Sequence, residues 1–353
     1  MKEDYEGFEN WFATCIEQHR NCWTVQDGEK IIAIAILKEE TGQQYRNDFV
    51  EDGPDIADDG KVLKICTFKV GTDARGSKIG EHLLKQSLWH AYENNFDCVY
   101  LTAYAEKQDH LIAFLEEFGF STEGKNSNGE LIISKKVIRE ISDLNGLNPL
   151  DGHKKFYPIY YDGAEVQKFF VPIKPEFHLK LFPEYTSFEQ PMLFTPQDVS
   201  KIKEEISGNT IKKVYLSRAK SNQVNIGDLV FFYMSKNDVY KFSQCLTVVG
   251  VVDGITECNN LEELLEVTAK RSVYTHRDLE AMFQKRTTPV KAMDFLIAGH
   301  IKTTAGLPPN LKQLRDVGIV TGNLPPQSIA SIDEKIYQRL KDIIQITHGS
   351  EKL

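Results

Sequence analysis

Apolar positions in the first 140 residues alternate between strand-like and helix-like spacing. Residues 8–19 (FENWFATCIEQH) suit a short helix. CWTVQDGEKIIAIAILKEE reads as two strands around Asp27-Gly28, a dipeptide that favours the tight turn of a hairpin. IIAIAIL is apolar throughout, as expected of a strand covered on both faces. Residues 40–60 are polar and acidic, punctuated by Gly53-Pro54 and Asp58-Asp59-Gly60, and are predicted to be a loop. A strand is predicted at 62–70, then a short loop, then a helix from near Gly80. Leu84, Leu88, Ala91 and Tyr92 form one apolar stripe of that helix. FDCVYLTAY (96–104) is a further strand, DHLIAFLEEFGF (109–120) a helix closed by Gly119, and GELIISKKV (129–137) a last strand.

The stretch SDLNGLNPLDGH (142–153) is rich in Asn, Gly and Pro and marks the expected seam, giving domains at 1–145 and 146–353. Beyond it, short strand-like runs recur at 169–173, 212–218, 228–234, 246–252 and 290–301. Helical stretches are predicted at 196–207, 260–270, 275–285 and 329–344. This pattern predicts a small mixed β-barrel with covering helices.

Charge supports the division. Residues 1–149 carry 16 Lys/Arg against 27 Asp/Glu, a net of −11; residues 150–353 carry 26 against 24, a net of +2. The first part is too acidic for a general nucleic-acid surface, whereas the second can hold one locally. The six cysteines (Cys15, Cys22, Cys66, Cys98, Cys245, Cys258) form no CxxC pair, so neither a zinc site nor a disulfide framework is expected. No apolar run approaches the ~18 residues of a membrane span, and no signal-peptide pattern opens the chain; a cytoplasmic protein without a metal is expected.

The chemistry concentrates at VGTDARGSKIG (70–80). Gly71, Gly76 and Gly80 allow close backbone approach, Arg75 and Lys78 add cations, and a helix N-terminus presents unpaired N–H groups: a cradle for phosphate oxygens.

The order of hairpin, strand, Arg-x-x-x-x-Gly loop, helix, strand and helix ending in Gly119-Phe120 resembles the GNAT family of N-acetyltransferases over roughly residues 10–140. That resemblance implies acetyl-CoA as co-substrate, its pyrophosphate on the backbone amides of 76–80. It implies a binding set of Phe68, Val70, Arg75, Gly76, Ser77, Lys78, Ile79, Gly80 and His110. It also implies a splayed pair of parallel strands, 62–70 and 97–104, with the pantetheine arm between them. Three departures stand out. Lys78 occupies a motif glycine position, at a cost of about 1 kcal/mol if φ there is positive. Leu115 replaces the family's tyrosine acid. The 62–70 strand offers only Lys64, Cys66 and Lys69, and lacks the usual carboxylate base. Tyr104, which alternation aligns with Tyr100 and Thr102, is the expected catalytic proton carrier; Tyr100 and His110 are substitutes by type. Only about twenty residues precede Cys22, where the family generally has a strand and helices.

Residues 154–301 resemble a PUA-like domain of the ASCH type, through KFFVPIKPEFHLKLFP, NTIKKVYLSRAKSNQVNIGDLVFFYMS, VVGVVD and RSVYTHRDLEAMF in that order. Proteins pairing such domains are often bacterial, and relatives with a PIN-type nuclease domain in front would account for the short N-terminal segment. The resemblance implies RNA as partner, with Lys212, Lys213, Tyr215, Arg218, Lys220, Arg271 and Tyr274 as the nucleic-acid-binding set: cations for phosphates, aromatic faces for unpaired bases. His178 and Lys174 are candidates for an activity of the barrel itself. The expected fold is thus an α/β (α+β) GNAT fold followed by a PUA-like small mixed barrel. The expected function is an acetyl-CoA-dependent N-acyltransferase acting on an RNA-linked substrate. The alternatives are a non-catalytic acetyl-CoA- and RNA-binding regulator, possibly related to toxin–antitoxin systems, or a protein N-acetyltransferase with the barrel as docking module.

Overall fold

The computed structural model describes residues 8–27, 30–51, 53–71, 78–183, 185, 210–218, 223–236, 243–268, 273–284 and 289–349. The chain divides into two compact units, residues 1–138 and 139–351.

The first unit runs α1 (Phe8–Glu17), β1 (Cys22–Asp27), β2 (Lys30–Thr41), α2 (Gly42–Asn47), β3 (Lys61–Val70), α3 (Ile79–Glu93), β4 (Cys98–Ala103), α4 (Ala105–Glu117), β5 (Ser121–Lys125) and β6 (Leu131–Lys136). Its six strands form one sheet in the order β1-β2-β3-β4-β6-β5. Among the described strands of this sheet β3 and β4 are the parallel neighbours, a pairing that needs a crossover, here α3. The apolar run in β2 is buried from Ala33 to Leu37, as its composition predicts, whereas Ile31 at its start is exposed.

Two segments differ from the sequence pattern. Residues 40–60 are not all loop: β2 continues to Thr41, whose hydroxyl accepts from the Gln44 N–H while the Gln44 side chain accepts from the Thr41 N–H. This capping box starts the six-residue α2, too short for its apolar spacing to register. The other segment is β5; STEGK has little apolar content and is held by pairing to β6 at the sheet edge.

The second unit contains α5 (Pro149–Phe156), β7 (Lys168–Ile173), α6 (Pro175–Leu181), β8 (Lys212–Ser217), β9 (Leu229–Met234), β10 (Cys245–Cys258), α7 (Leu261–Thr268), α8 (His276–Phe283), β11 (Val290–Thr303), α9 (Leu311–Asp316), β12 (Ala330–Ile332), α10 (Glu334–Lys341) and β13 (Ile344–Thr347). Seven strands make a mixed sheet in the order β12-β7-β9-β10-β11-β13, with β8 pairing β11. Two bulges interrupt β10 against β11, at Val249/Gly250 and Val252/Gly254, and bulges bend and twist a strand.

The predicted helix 196–207 lies outside the described residues. The predicted helix 329–344 is instead β12, α10 and the start of β13, because Asp333 caps a new helix on the Lys335 N–H. Half of the expected seam is also helical: Asn148 caps α5 with Pro149 in its first turn.

Within this unit α10 is tied back to residues far earlier in the chain. Lys168 is almost wholly buried, donates to the Gly163 carbonyl and pairs with Glu334 at 2.7 Å. The Tyr337 hydroxyl donates to Asp162 at 2.7 Å, and Lys341 pairs with the same carboxylate.

Candidate active site

The ladder between β3 and β4 has three rows: Val62–Cys98, Leu63–Val99 and Lys64–Tyr100. Beyond the last row β3 stays paired with β2 up to Val70, and β4 stays paired with β6 up to Ala103. The strands therefore diverge from each other while each keeps its outer partner. Two facing strand edges that stop bonding to one another leave backbone donors and acceptors for an extended ligand. In the same region β3 carries a bulge against β2. Ile36 lies opposite Thr67 and Leu37 opposite Ile65, so Cys66 is the extra residue, and a bulge disrupts the local backbone ladder.

At the far end of β3 the chain enters α3 through Lys78, whose φ is 67° and ψ 10°. The motif position thus adopts the left-handed conformation, and the strain foreseen for lysine there is present. Its ammonium sits 3.9 Å from Glu81, which is buried in the first turn of α3. A side chain at Gly80 would come within 3.7 Å of both Phe68 and Val70. The structure therefore brings Phe68, Val70, Lys78, Ile79 and Gly80 to one place, partly exposed, at a helix N-terminus. Arg75, Gly76 and Ser77 lie outside the described residues. His110 is exposed on α4, just after a non-helical Gln108. Tyr104 is 39% exposed, lies one residue past β4, and caps α4, its own N–H donating to the Gln108 side chain. Leu115 is wholly buried and offers no proton where the family resemblance places an acid.

The row where the ladder ends carries a polar cluster that the sequence reading missed. The Tyr100 hydroxyl donates toward Glu40 Oε2 at 2.5 Å and Asp48 Oδ2 at 2.8 Å. Lys64 donates to the same Asp48 oxygen at 2.6 Å and stands 5.0 Å above the Tyr100 ring. Lys38, directly across from Lys64 in the β2–β3 register, pairs with Glu40 Oε1 at 2.5 Å. Burial first, then the two carboxylates, raises the Tyr100 phenol far above its ordinary range, so it keeps its proton. Tyr45 of α2 packs its ring 4.5 Å from Tyr100, within a cluster that includes Val62, Cys98 and Ile132. The signal that would have found Asp48 was the Thr41-x-x-Gln44 cap, which fixes α2 and sets Asp48 as its C-terminal cap. One step further along β3, burial raises the Cys66 thiol, opposed by Arg20 and Lys64.

In the second unit several of the expected RNA-binding residues are buried. Tyr215 is buried, donates to the Pro172 carbonyl and has its phenol pushed up to about 12 by burial. Tyr274 is buried with its ring 4.8 Å from Phe177, in the cluster under α7 and α8. Rings so enclosed have no face for an unpaired base, a correction to the stacking role expected of them. Lys213 is buried beside the Phe182 ring, and Lys212 pairs with Asp253. Arg218 is half-buried and donates to the Ala281 carbonyl; Lys220 and Arg271 lie outside the described residues. His178 is fully buried, bonds to Thr247 Oγ1 at 2.7 Å, and is lowered to about 3 by burial and by His300. A neutral, enclosed imidazole suits packing rather than chemistry. Lys174 is exposed, 3.8 Å from Glu176. Among the described residues no group of three or more His, Cys, Asp or Glu is arranged for a metal ion, and no helix is long and apolar enough to cross a membrane.

Residues 1–120 match the model of the acetyltransferase (GNAT) family. This segment is a GNAT domain. The GNAT family uses acetyl-CoA, and the residues at hand fit that ligand: the diverging β3 and β4, and the small Gly80 beneath Phe68 and Val70. No curated protein matches the sequence. Among solved structures, the ASCH protein from Zymomonas mobilis shares 16% identity, covering 51% of this chain and 97% of its own, with a TM-score of 0.34. The ribosomal-protein-S18-alanine N-acetyltransferase from Escherichia coli shares 14% identity over 40% of this chain and 84% of its own, with a TM-score of 0.29. Tetrahymena GCN5 shares 12% over 38% and 79%, at 0.28. Likenesses at these scores stand beside the GNAT domain as similarities only.

Proposed function

We propose that the GNAT domain transfers an acetyl group from acetyl-CoA to an amine, and that the second unit presents that amine on RNA or an RNA-linked molecule. The observation that carries the first half is the three-row ladder, opening beside the N-terminus of α3, where unpaired N–H groups would suit phosphate oxygens. Acetyl-CoA would supply an activated thioester. The chain's part is to hold it extended between β3 and β4, to place the amine against it, and to receive and return protons. Tyr104, exposed at the mouth of β4, is the proposed proton donor to the departing sulfur. RNA recruitment rests on the sequence resemblance and the more basic second unit. With Tyr215, Tyr274 and Lys213 buried, it narrows to Arg218, Lys220, Arg271 and Lys212, the last largely covered and paired with Asp253.

A thermal shift tests ligand binding. Acetyl-CoA at ~100 times its dissociation constant should add ~2.7 kcal/mol of stability. The shift should vanish in Gly80→Asp, which sets a carboxylate against the phosphates. No shift in the wild type at millimolar acetyl-CoA would overturn the reading. RNA recovered by crosslinking, with nucleoside mass spectrometry with and without acetyl-CoA, tests the acceptor. The regulator reading is favoured by the buried Leu115 and the strained Lys78, and wins if acetyl-CoA binds but is never consumed.

A further inference from the structure

We infer that Asp48 is the catalytic base of acetyl transfer, and that Lys64, Tyr100 and Glu40 hold it in position. This rests on the acetyltransferase reading and assigns a role that β3 itself cannot fill. Charge alone does not single out Asp48; its position does. The Lys64–Tyr100 row is the last before β3 and β4 part, so the thioester of an acetyl-CoA lying between them falls against this row or the next. Asp48 reaches the row from the C-terminal cap of α2 and remains about one-third exposed, while Glu40 and Tyr100 behind it are closed off from solvent. An incoming amine can reach Asp48 and cannot reach Glu40.

The hydrogen bonds explain how such a carboxylate would work. A phenol has one proton and here stands between two carboxylate oxygens, so it can donate fully to only one of them at a time. While Asp48 is ionised, Tyr100 and Lys64 both donate to Oδ2 and fix the group, which leaves Oδ1 for the amine. When Asp48 takes up a proton, Tyr100 can turn its own toward Glu40, which Lys38 keeps paired. The surrounding groups complete the picture: Tyr45 from α2, Cys98 from β4, and Cys66 with Arg20 beside Lys64.

The step balances. The amine lone pair forms the C–N bond, the C–S pair leaves with the sulfur of CoA, the proton shed by nitrogen goes to Asp48, and the thiolate is protonated by Tyr104 or water. The side chains of Lys64, Tyr100 and Glu40 exchange no proton with the substrate in this scheme; they act through Asp48 as positioning residues.

The test uses the full chain with acetyl-CoA and small primary amines (ethanolamine and spermidine) as probe acceptors, water being the default acceptor, and follows free CoA. Asp48→Asn and Asp48→Gly should lose ~10²–10⁴-fold in turnover while keeping the acetyl-CoA thermal shift. Added formate should restore part of the rate to Asp48→Gly in proportion to its concentration and leave the wild type unchanged, a response that a purely structural aspartate would not give. Tyr100→Phe, which keeps the packing, should lose roughly tenfold and gain nothing from formate. Unchanged turnover in Asp48→Asn, or loss without formate rescue, overturns the assignment. So does a wild type that binds acetyl-CoA yet releases no CoA to any probe or to water. If the wild type shows no acetyl-CoA shift at all, the acetyltransferase reading itself has failed, and the base falls with it through a different observation.

Discussion

Lys78 shows what one residue can reveal. Its φ of 67° is a conformation that glycine enters freely and lysine does not, at a cost of about 1 kcal/mol. Lys78→Gly should therefore leave stability unchanged or raise it by up to about 1 kcal/mol. Lys78→Val should lower it by about 1–2 kcal/mol, both read from urea unfolding followed by circular dichroism. Gly42 is under a different constraint: a side chain there would run into the Ala57 carbonyl. Gly42→Ala should cost about 1–3 kcal/mol in the same assay, and by displacing α2 should also weaken turnover through Asp48. Tyr104→Phe should lower turnover ~10²–10⁴-fold and leave the acetyl-CoA shift intact; an unchanged rate would make Tyr104 a capping residue only. The sequence made Lys78 and Tyr104 visible because each occupies a position defined by its neighbours along the chain. Glu40 and Asp48 were invisible for the opposite reason. They meet Tyr100 from 60 and 52 residues away, and only the folded sheet makes them a group.

At the scale of elements, what the pattern of apolar residues marks strongly is what the structure contains. The β2 run, the 62–70 strand, the stripe of α3 and the strand at 96–104 could all be read because burial on one or two faces imposes a period. What escaped were elements made by end effects: α2 and α9 by capping boxes, α5 and α6 by proline in the first turn, β5 by edge pairing. In the second unit, Lys213 and Tyr215 share one face of β8 and both are buried, as are Val214 and Leu216 on the other face; residue type and spacing report a strand and do not say which side chains are wet. His178 on α6 gives a prediction for this unit. Its pKa is depressed from 6.5 to about 3, so the unfolded chain binds a proton that the folded one refuses. That contribution to stability is complete above pH 6.5 and is lost as pH falls toward 3. Between pH 6.5 and 5 the loss should be about 2 kcal/mol, and His178→Gln should flatten this part of the pH–stability curve measured by urea midpoint.

For the whole molecule, the first testable property is divisibility. The units meet in sequence near residue 139, and α5 begins at Pro149 under its Asn148 cap, so limited proteolysis should cut between 139 and 148 and spare 149–156. Fragments cut only elsewhere would argue against two autonomous units. The more acidic first fragment should also bind an anion exchanger more tightly than the second. A last consequence lies in the tie between Lys168 and Glu334, 166 residues apart in the chain. A ribosome adding ~5–20 residues per second would make Lys168 roughly 10–30 s before its partner exists. During that interval β7 has neither β12 beside it nor the Glu334 carboxylate to neutralise its lysine. The N-terminal unit, whose strands all lie within 138 residues, can fold as it emerges; the second must wait for its own last helix. Stalling synthesis ahead of residue 334 should therefore yield a nascent chain protease-resistant in its first unit and sensitive throughout the second.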